Sequence, residues 1–163
     1  RNHDEVVDLV RFAAERGMDI SFIEEMPLGD INEHDRGESY YSSDEILADL
    51  RKHFDLTATT DNTGGPSRYF RLDANTKVGF ISPHSHNFCD TCNRVRLTAE
   101  GRLLLCLGQE HSADLRRVIR ANPGDSERLR QAIVAAMDIK PKGHDFNIKS
   151  QAVILRHMSL TGG

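Results

Sequence analysis

The fold of this chain is decided by residues 88–106, which read FCDTCNRVRLTAEGRLLLC. Residues 94–98 and 102–106 each have the alternating pattern of a strand, and the short connection between them ends in a glycine, which readily adopts the positive φ of a tight turn. This pattern predicts an antiparallel β-hairpin in which Cys106 faces Arg94. The return strand is thus expected to bring its cysteine back to the start of the hairpin.

The two faces of this predicted hairpin differ in chemistry because side chains alternate along a strand. One face is wholly apolar and is expected to lie in the core, whereas the other combines three arginines with a cysteine. A slip of one residue would bury arginines, so this register is favoured. The apolar face consists of Val95, Leu97, Leu103 and Leu105, and the polar face of Arg94, Arg96, Arg102 and Cys106, diluted by Thr98 and Leu104.

The three cysteines indicate a metal site. Cys89 and Cys92 form a C-x2-C pair, which places two thiolates on one side of the backbone as in zinc and iron–sulfur sites. An odd number of cysteines without a secretory pattern favours reduced thiolates over a disulfide framework. Three thiolates leave one position open, so the residues predict either zinc with a histidine or an iron that stays open for substrate. The candidate histidines are His84, His86 and His111.

The arginines of the polar face have two interpretations. The exposed face of a half-buried hairpin is often charged for solubility alone. Clustered guanidinium groups also bind polyphosphates through charge-assisted, often bidentate hydrogen bonds. The sequence has no glycine-rich phosphate loop that would compete for this role.

Composition excludes several classes of protein. The chain has 163 residues, of which 38% are hydrophobic, enough for one core, and its net charge of −4 argues against binding to a nucleic acid polymer. No apolar run approaches the roughly 20 residues that cross a bilayer, and no signal peptide opens the chain. We therefore predict a cytoplasmic protein with no membrane partner. Because it opens on Arg1 rather than methionine, we interpret the chain as a piece of a longer protein.

The remaining pattern predicts an α+β fold. Helical spacing over residues 4–16 and a strand over 19–26 indicate the last helix–strand unit of a parallel α/β structure. A polar linker over 30–43 should lead from this unit to an antiparallel sheet of hairpins with flanking helices. The later predicted elements are a helix capped by Ser43 or Asp44 and running through 45–50, strands at 68–72 and 77–81, and helices at 113–122 and 126–137.

Six segments, taken in order, resemble the C-terminal half of the molybdenum cofactor biosynthesis protein A family. The resemblance spans nearly the whole chain, and the cysteine segment is its most specific part. The segments are FIEEMPL at 22–28, GPSRY at 65–69, GFISP at 79–83, FCDTCNRVRLT at 88–98, KPKGH at 140–144 and the terminal GG at 162–163.

The resemblance implies an enzyme and its cofactors. Members of this family are radical S-adenosylmethionine GTP 3',8-cyclases, lyases that convert GTP to (8S)-3',8-cyclo-7,8-dihydroguanosine 5'-triphosphate. It implies that Cys89, Cys92 and Cys106 ligate a 4Fe-4S cluster whose open iron meets the guanine. Met26 is implied to lie against S-adenosylmethionine.

The resemblance also implies substrate contacts and a division into domains. Arg94, Val95 and Arg96 are implied to contact GTP, and Gly162 and Gly163 to reach into the active site as a catalytic tail. Residues 1–29 would be the end of the radical S-adenosylmethionine barrel, and residues 30–163 the C-terminal domain that binds the iron–sulfur cluster and GTP. The N-terminal barrel of the same protein is the implied partner, and a homodimer is possible.

Two departures from the family pattern and two competing hypotheses remain. The C-x3-C-x2-C motif that holds the family's other 4Fe-4S cluster is absent, so the chain alone is expected to be inactive. Ser21 stands where members often carry arginine. The main alternative is an interaction module stabilised by zinc. A sulfur carrier, suggested by the terminal glycines, fits poorly with three clustered cysteines.

Overall fold

The computed structural model describes residues 2–29, 36–148, 154, 156 and 158–161. The chain divides into two compact units, Arg1–Met26 with Asp35–Phe88 and Pro27–His34 with Cys89–Gly163. Both contain antiparallel strand pairs and helices, which confirms the predicted α+β class. The predicted boundary at residue 29 concerns a barrel of the longer protein and stays a prediction.

The first unit begins with the helix and strand that the sequence predicted. A single turn of 3-10 helix at His3–Glu5 leads into α1, Val6–Glu15, whose Val6, Val10 and Ala13 are buried. The next strand, β1, covers Ile20–Ile23 and is shorter than predicted. It pairs in parallel with β4, Lys77–Ile81, so the opening segment packs on the later strands rather than forming a core of its own.

The sheet of the first unit has four strands in the order β1-β4-β3-β2. The strands β2, Thr57–Ala58, and β3, Arg68–Arg71, run antiparallel to their neighbours. Apolar side chains from this sheet meet those of α1 and of the helix at Ser43–Leu50, because each element buries one face against another. The buried residues of this core are Val6, Val10, Ile46, Leu50, Leu56, Phe70, Val78 and Phe80.

Two short helices precede the antiparallel strands. Helix α2, Arg36–Ser39, lies within the segment predicted as an irregular linker, and α3 covers Ser43–Leu50. The predicted cap, Ser43 or Asp44, is wrong by one or two residues, since Ser42 caps α3. Ser42 Oγ accepts from the Glu45 amide, and Glu45 Oε2 accepts from the Ser42 amide. The two bonds form a complete capping box.

The second unit is built around the predicted hairpin. Its strands are β5, Arg96–Leu97, β6, Arg102–Leu104, and β7, Ser112–Asp114, in that order. Arg96 pairs with Leu104 and the Thr98 amide donates to the Arg102 carbonyl, which confirms the predicted register. Gly101 turns the chain with a φ of 80°.

Two helices cover one face of this sheet. Helix α4, Leu115–Ala121, begins two residues later than predicted because residues 112–114 form β7 instead, and α5 covers Ser126–Asp138. Asp114 and Asp125 cap them through bonds to the amides of Arg117 and Arg128. The core between sheet and helices contains Leu103, Leu105, Leu115 and Ala136.

The predicted burial of the apolar hairpin face is confirmed on β6 but wrong on the strand before it. Leu103 and Leu105 are buried, whereas Val95 is 40% exposed and Leu97 is 55% exposed. The reason is position in the sheet: β5 is an edge strand, and the buried cluster against the helices draws on β6, β7, α4 and α5. Alternation assigns a side chain to a face, but a helix must cover that face to bury it.

None of the helices within the described part of the chain is long and apolar enough to cross a membrane.

Candidate functional site

The first two cysteines are set by one turn of helix. Residues Cys89–Thr91 form a 3-10 turn, and the Cys92 amide donates to the Cys89 carbonyl over 3.1 Å. None of the cysteines forms a disulfide, and each is partly buried. The local turn thus accounts for the C-x2-C pair without help from distant residues.

The third cysteine follows β6 and shares the electrostatic surroundings of the first two. Burial raises the pKa of the Cys106 thiol, and negative charge on Cys89 or Cys92 raises it further. A hydrogen bond from the Gly108 backbone and the ammonium of Lys140 act in the opposite direction. The three predicted thiols therefore influence one another electrostatically.

The segment after α5, residues 140–143, contacts Cys89 and the backbone near the other two cysteines. Lys140 Nζ donates to the Arg94 carbonyl over 3.0 Å and to the Leu105 carbonyl over 2.6 Å. Residue 143 lies against Cys89, since a Cβ built on this glycine would be 3.9 Å from Cys89 Cβ and 4.0 Å from its Sγ. Sequence reasoning assigned no role to this segment, although KPKGH was already conspicuous as a matching motif.

The loop after Cys106 is also fastened from the C-terminal side. Gln109 Nε2 donates to the Gly143 carbonyl over 3.1 Å and to Asp145 Oδ2 over 2.7 Å. Arg156 donates to the Gln109 carbonyl over 3.1 Å and forms an ion pair with Glu110. These contacts join residues about forty positions apart, which is why periodicity could not predict them.

Three free, partly buried cysteine thiols have the ligand chemistry of a zinc or an iron–sulfur site. Among the described residues, no group of three or more His, Cys, Asp or Glu side chains is arranged to hold one metal ion. A zinc ion contacts all its ligands at about 2.0–2.3 Å. In a four-iron cluster each thiolate binds its own iron, which suits three neighbouring thiols that need not converge on one atom.

Two of the candidate histidine ligands are engaged within the first unit. His84 Nε2 lies 3.0 Å from the Glu25 carbonyl, and His86 Nε2 lies 2.7 Å from Asp44 Oδ1. His111 belongs to the second unit, where its carbonyl accepts from the Leu105 amide and its side chain is exposed.

The predicted arginines differ in how they are used. Arg102 Nη2 donates to Ser112 Oγ over 2.7 Å and so helps to join β6 to β7. Arg94 is exposed and Arg96 is half-buried, and neither guanidinium has a carboxylate partner among the residues that the structure describes.

The other predicted site residues lie in the first unit or outside the described residues. Met26 is half-buried and belongs to the first unit, whereas the cysteines belong to the second. Ser21 lies on β1, where its Oγ is 3.5 Å from Ser67 Oγ. The predicted tail residues Gly162 and Gly163 lie outside the described residues.

A buried carboxylate at the end of β1 escaped the sequence analysis. Glu24 is 1% exposed and accepts from the backbone amides of Ser43, His84 and Ser85 over 2.9–3.1 Å. Burial alone would raise its pKa, but these bonds and one from the Ser85 hydroxyl outweigh it and lower the pKa to about 2. Nothing local distinguishes Glu24 from the half-buried Glu25, so only the tertiary contacts identify it.

Comparison with known proteins identifies the family of this chain. The chain matches the family model described as Molybdenum Cofactor Synthesis C over residues 18–146. It is 60% identical over 163 residues to a protein of Saccharophagus degradans, 61% identical over 165 residues to one of Pseudomonas putida, and 56% identical over 164 residues to one of Marinobacter nauticus. Each of these is named GTP 3',8-cyclase.

The matches cover 99–100% of this chain but only 49–50% of those relatives, so the chain spans about half their length. The family model includes all three cysteines and the segment after α5, residues 140–143. The resemblance inferred from the quoted segments is thereby confirmed, and the chain belongs to the Molybdenum Cofactor Synthesis C family.

Proposed function

We propose that this chain is the substrate-side part of a GTP 3',8-cyclase, which converts GTP to (8S)-3',8-cyclo-7,8-dihydroguanosine 5'-triphosphate in molybdenum cofactor biosynthesis. The observation that carries the proposal is the set of three free, half-buried thiols at a hairpin that also carries Arg94 and Arg96, two arginines with no carboxylate partner among the residues that the structure describes. The relatives named GTP 3',8-cyclase, at 56–61% identity, supply the reaction class.

Cys89, Cys92 and Cys106 would hold a 4Fe-4S cluster. Such a cluster, with three protein ligands, would supply one iron with an open position for a donor atom of the substrate base. The protein's own part is to keep the thiols reduced and half-buried, which limits access of water and oxidants to the site.

Arg94 and Arg96 would bind the triphosphate of GTP. Arg94 lies two residues before β5 and Arg96 begins this strand, and guanidinium groups bind phosphate oxygens through charge-assisted hydrogen bonds. Val95, between them, is 40% exposed, so its side chain is also accessible to a ligand. Binding the phosphates here would orient the nucleoside toward the thiol group.

The radical step would depend on the other half of the protein. We propose that an N-terminal barrel carries the second 4Fe-4S cluster and S-adenosylmethionine, that Met26 contacts the latter, and that Gly162 and Gly163 contribute a tail. Residues 1–29 would then be the last part of that barrel. The chain alone would bind GTP without turning it over.

Anaerobic reconstitution of the full-length protein tests the cluster assignment. The wild type should bind one more 4Fe-4S cluster, measured as iron and acid-labile sulfide, than a variant with Cys89, Cys92 and Cys106 all replaced by alanine. The variant should also lose GTP cyclisation. Equal iron content in the two proteins would contradict the proposal.

The matched test of inactivity uses this chain itself. Residues 1–163 incubated with GTP, S-adenosylmethionine and reductant should give no cyclised product, while the full-length protein should. Product formation by the chain alone would show that the division of roles between the two halves is wrong.

A further inference from the structure

The segment KPKGH at residues 140–144 contacts Cys89 and the backbone of Arg94 and Leu105. The proposed function assigns it no role. Helix α5 ends at Asp138, and the Lys140 amide still bonds to the Met137 carbonyl. Pro141 then prevents the helix from continuing. The helix end therefore delivers Lys140 to a fixed position beside the hairpin.

Lys140 bonds to backbone carbonyls just beyond the end of the β5–β6 pairing. That pairing ends at Arg96 and Leu104, whereas on the other side of β6 the β7 ladder continues through the bond from the Leu105 amide to the His111 carbonyl. Lys140 Nζ lies 3.0 Å from the Arg94 carbonyl and 2.6 Å from the Leu105 carbonyl. The Lys140 ammonium thus links Arg94, two residues after Cys92, to Leu105, the residue directly before Cys106.

The same ammonium brings charge to the site. Its three N–H donors carry one positive charge, and Lys140 is half-buried, so water screens this charge less than that of an exposed lysine. The nearby Gly143 lies against Cys89, and Gln109 ties the Gly143 carbonyl to the loop after Cys106. The segment 140–144 therefore contacts both Cys89 and the residues on either side of Cys106.

We propose that Lys140 is a positioning residue of the thiol site, which holds the Cys92 and Cys106 strands together and sets the reduction potential of the cluster bound there. The inference rests on the proposed function, because it requires a cluster at the three thiols. A positive charge near an iron–sulfur cluster stabilises its more negative, reduced form and so raises its potential.

The test uses full-length protein whose N-terminal cluster cysteines are replaced by alanine, so that the remaining signal comes from this site. Three variants are compared with that background: Lys140→Met, which removes both bonds and the charge, Lys140→Arg, which keeps a charged donor, and Lys142→Met. The last is the matched control, since Lys142 is exposed on the same segment.

Redox titration followed by electron paramagnetic resonance measures the charge effect. Lys140→Met should shift the reduction equilibrium about tenfold toward the oxidised form, which is about 59 mV for one electron. Lys140→Arg should restore most of this shift, and Lys142→Met should show none. A full cluster content in Lys140→Met with an unchanged potential would overturn the inference.

Hydrogen exchange measures the positioning effect separately. The peptide covering 94–106 should exchange at least tenfold faster in Lys140→Met than in Lys142→Met, because the bridge between its strands is gone. If Lys140→Met loses its iron, the iron content of Lys140→Arg is compared. Iron retained in Lys140→Arg supports the positioning role of Lys140, and loss of iron in both variants contradicts it. Absence of iron in the parent protein would instead refute the proposed function, and this inference with it.

Discussion

The two compact units of the chain reach order by different means. The first has a four-stranded sheet, a core that includes Phe70 and Phe80, and a buried carboxylate that accepts from three backbone amides of the same unit. The second has strands of two or three residues and a core of leucines and alanines. Its thiol site is fastened by polar side chains from distant parts of the chain, so we expect it to depend more on what the thiols bind.

The largest effect should come from removing the buried carboxylate of the first unit. Glu24→Ala leaves the amides of Ser43, His84 and Ser85 without an acceptor and should lower the free energy of unfolding of this unit by about 3–5 kcal/mol. Urea titration with hydrogen exchange of the peptide 68–81 measures it. Glu15→Ala, on an exposed position, should change it by less than about 0.5 kcal/mol. A loss below about 1 kcal/mol for Glu24→Ala would show that the network is not stabilising.

The same carboxylate should make the first unit sensitive to acid. Because the folded-state pKa of Glu24 is lowered from 4.5 to about 2, its stabilising effect is fully present above pH 4.5 and is lost as the pH falls toward 2. The loss should amount to about 3 kcal/mol, and Glu24→Gln should remove this part of the pH dependence. Parallel stability curves for wild type and Glu24→Gln between pH 5 and pH 2 would contradict the assignment.

The small core of the second unit is tested by two leucines that alternation places on the same face. Leu105 is fully buried and Leu97 is 55% exposed. Leu105→Ala should lower the free energy of unfolding of this unit by about 2–4 kcal/mol, whereas Leu97→Ala should cost less than about 0.5 kcal/mol. Hydrogen exchange of the peptide 102–114 in urea separates them. Equal effects would mean that β5 is covered in the protein as it exists.

Nucleotide affinity tests the two arginines beside the thiols. Arg94→Ala and Arg96→Ala in the reconstituted full-length protein should each weaken GTP binding by about 1.5–3 kcal/mol and leave the iron content unchanged. Arg117→Ala, on the exposed side of α4, is the control. Calorimetric titration gives the affinities, and unchanged values in both variants would reduce Arg94 and Arg96 to solvated surface residues.

The smallest effect should come from Val95→Asp. From alternation alone this change should place an unpartnered charge in the core and unfold the hairpin, but the structure leaves the side chain 40% exposed. The free energy of unfolding should therefore change by about 0.5 kcal/mol or less, with the iron retained. Loss of iron from this variant would mean that Val95 is buried after all.

Local patterns were sufficient for much of the fold. The register of the hairpin followed from alternation and the glycine at its turn, and the bounds of α5 followed from the breaker before it and its apolar spacing. The same reasoning missed β7, since Ser112–Asp114 carries no apolar alternation and pairs only because β6 presents an open edge. It also placed the cap of α3 too late, because several adjacent residues can act as a cap and local preference does not choose among them.

The sequence by itself determined which residues carry the chemistry: three cysteines at C-x2-C and hairpin spacing, with arginines on the strand between them. These depend on covalent spacing and on side-chain alternation, which act over a few residues. Only the tertiary structure decided that Glu24 is buried, that Val95 is exposed and that Lys140 joins the strands at the thiols. The contacts of Glu24 and Lys140 join residues 19–61 positions apart, and they form only when loops of that length close, which no local pattern encodes.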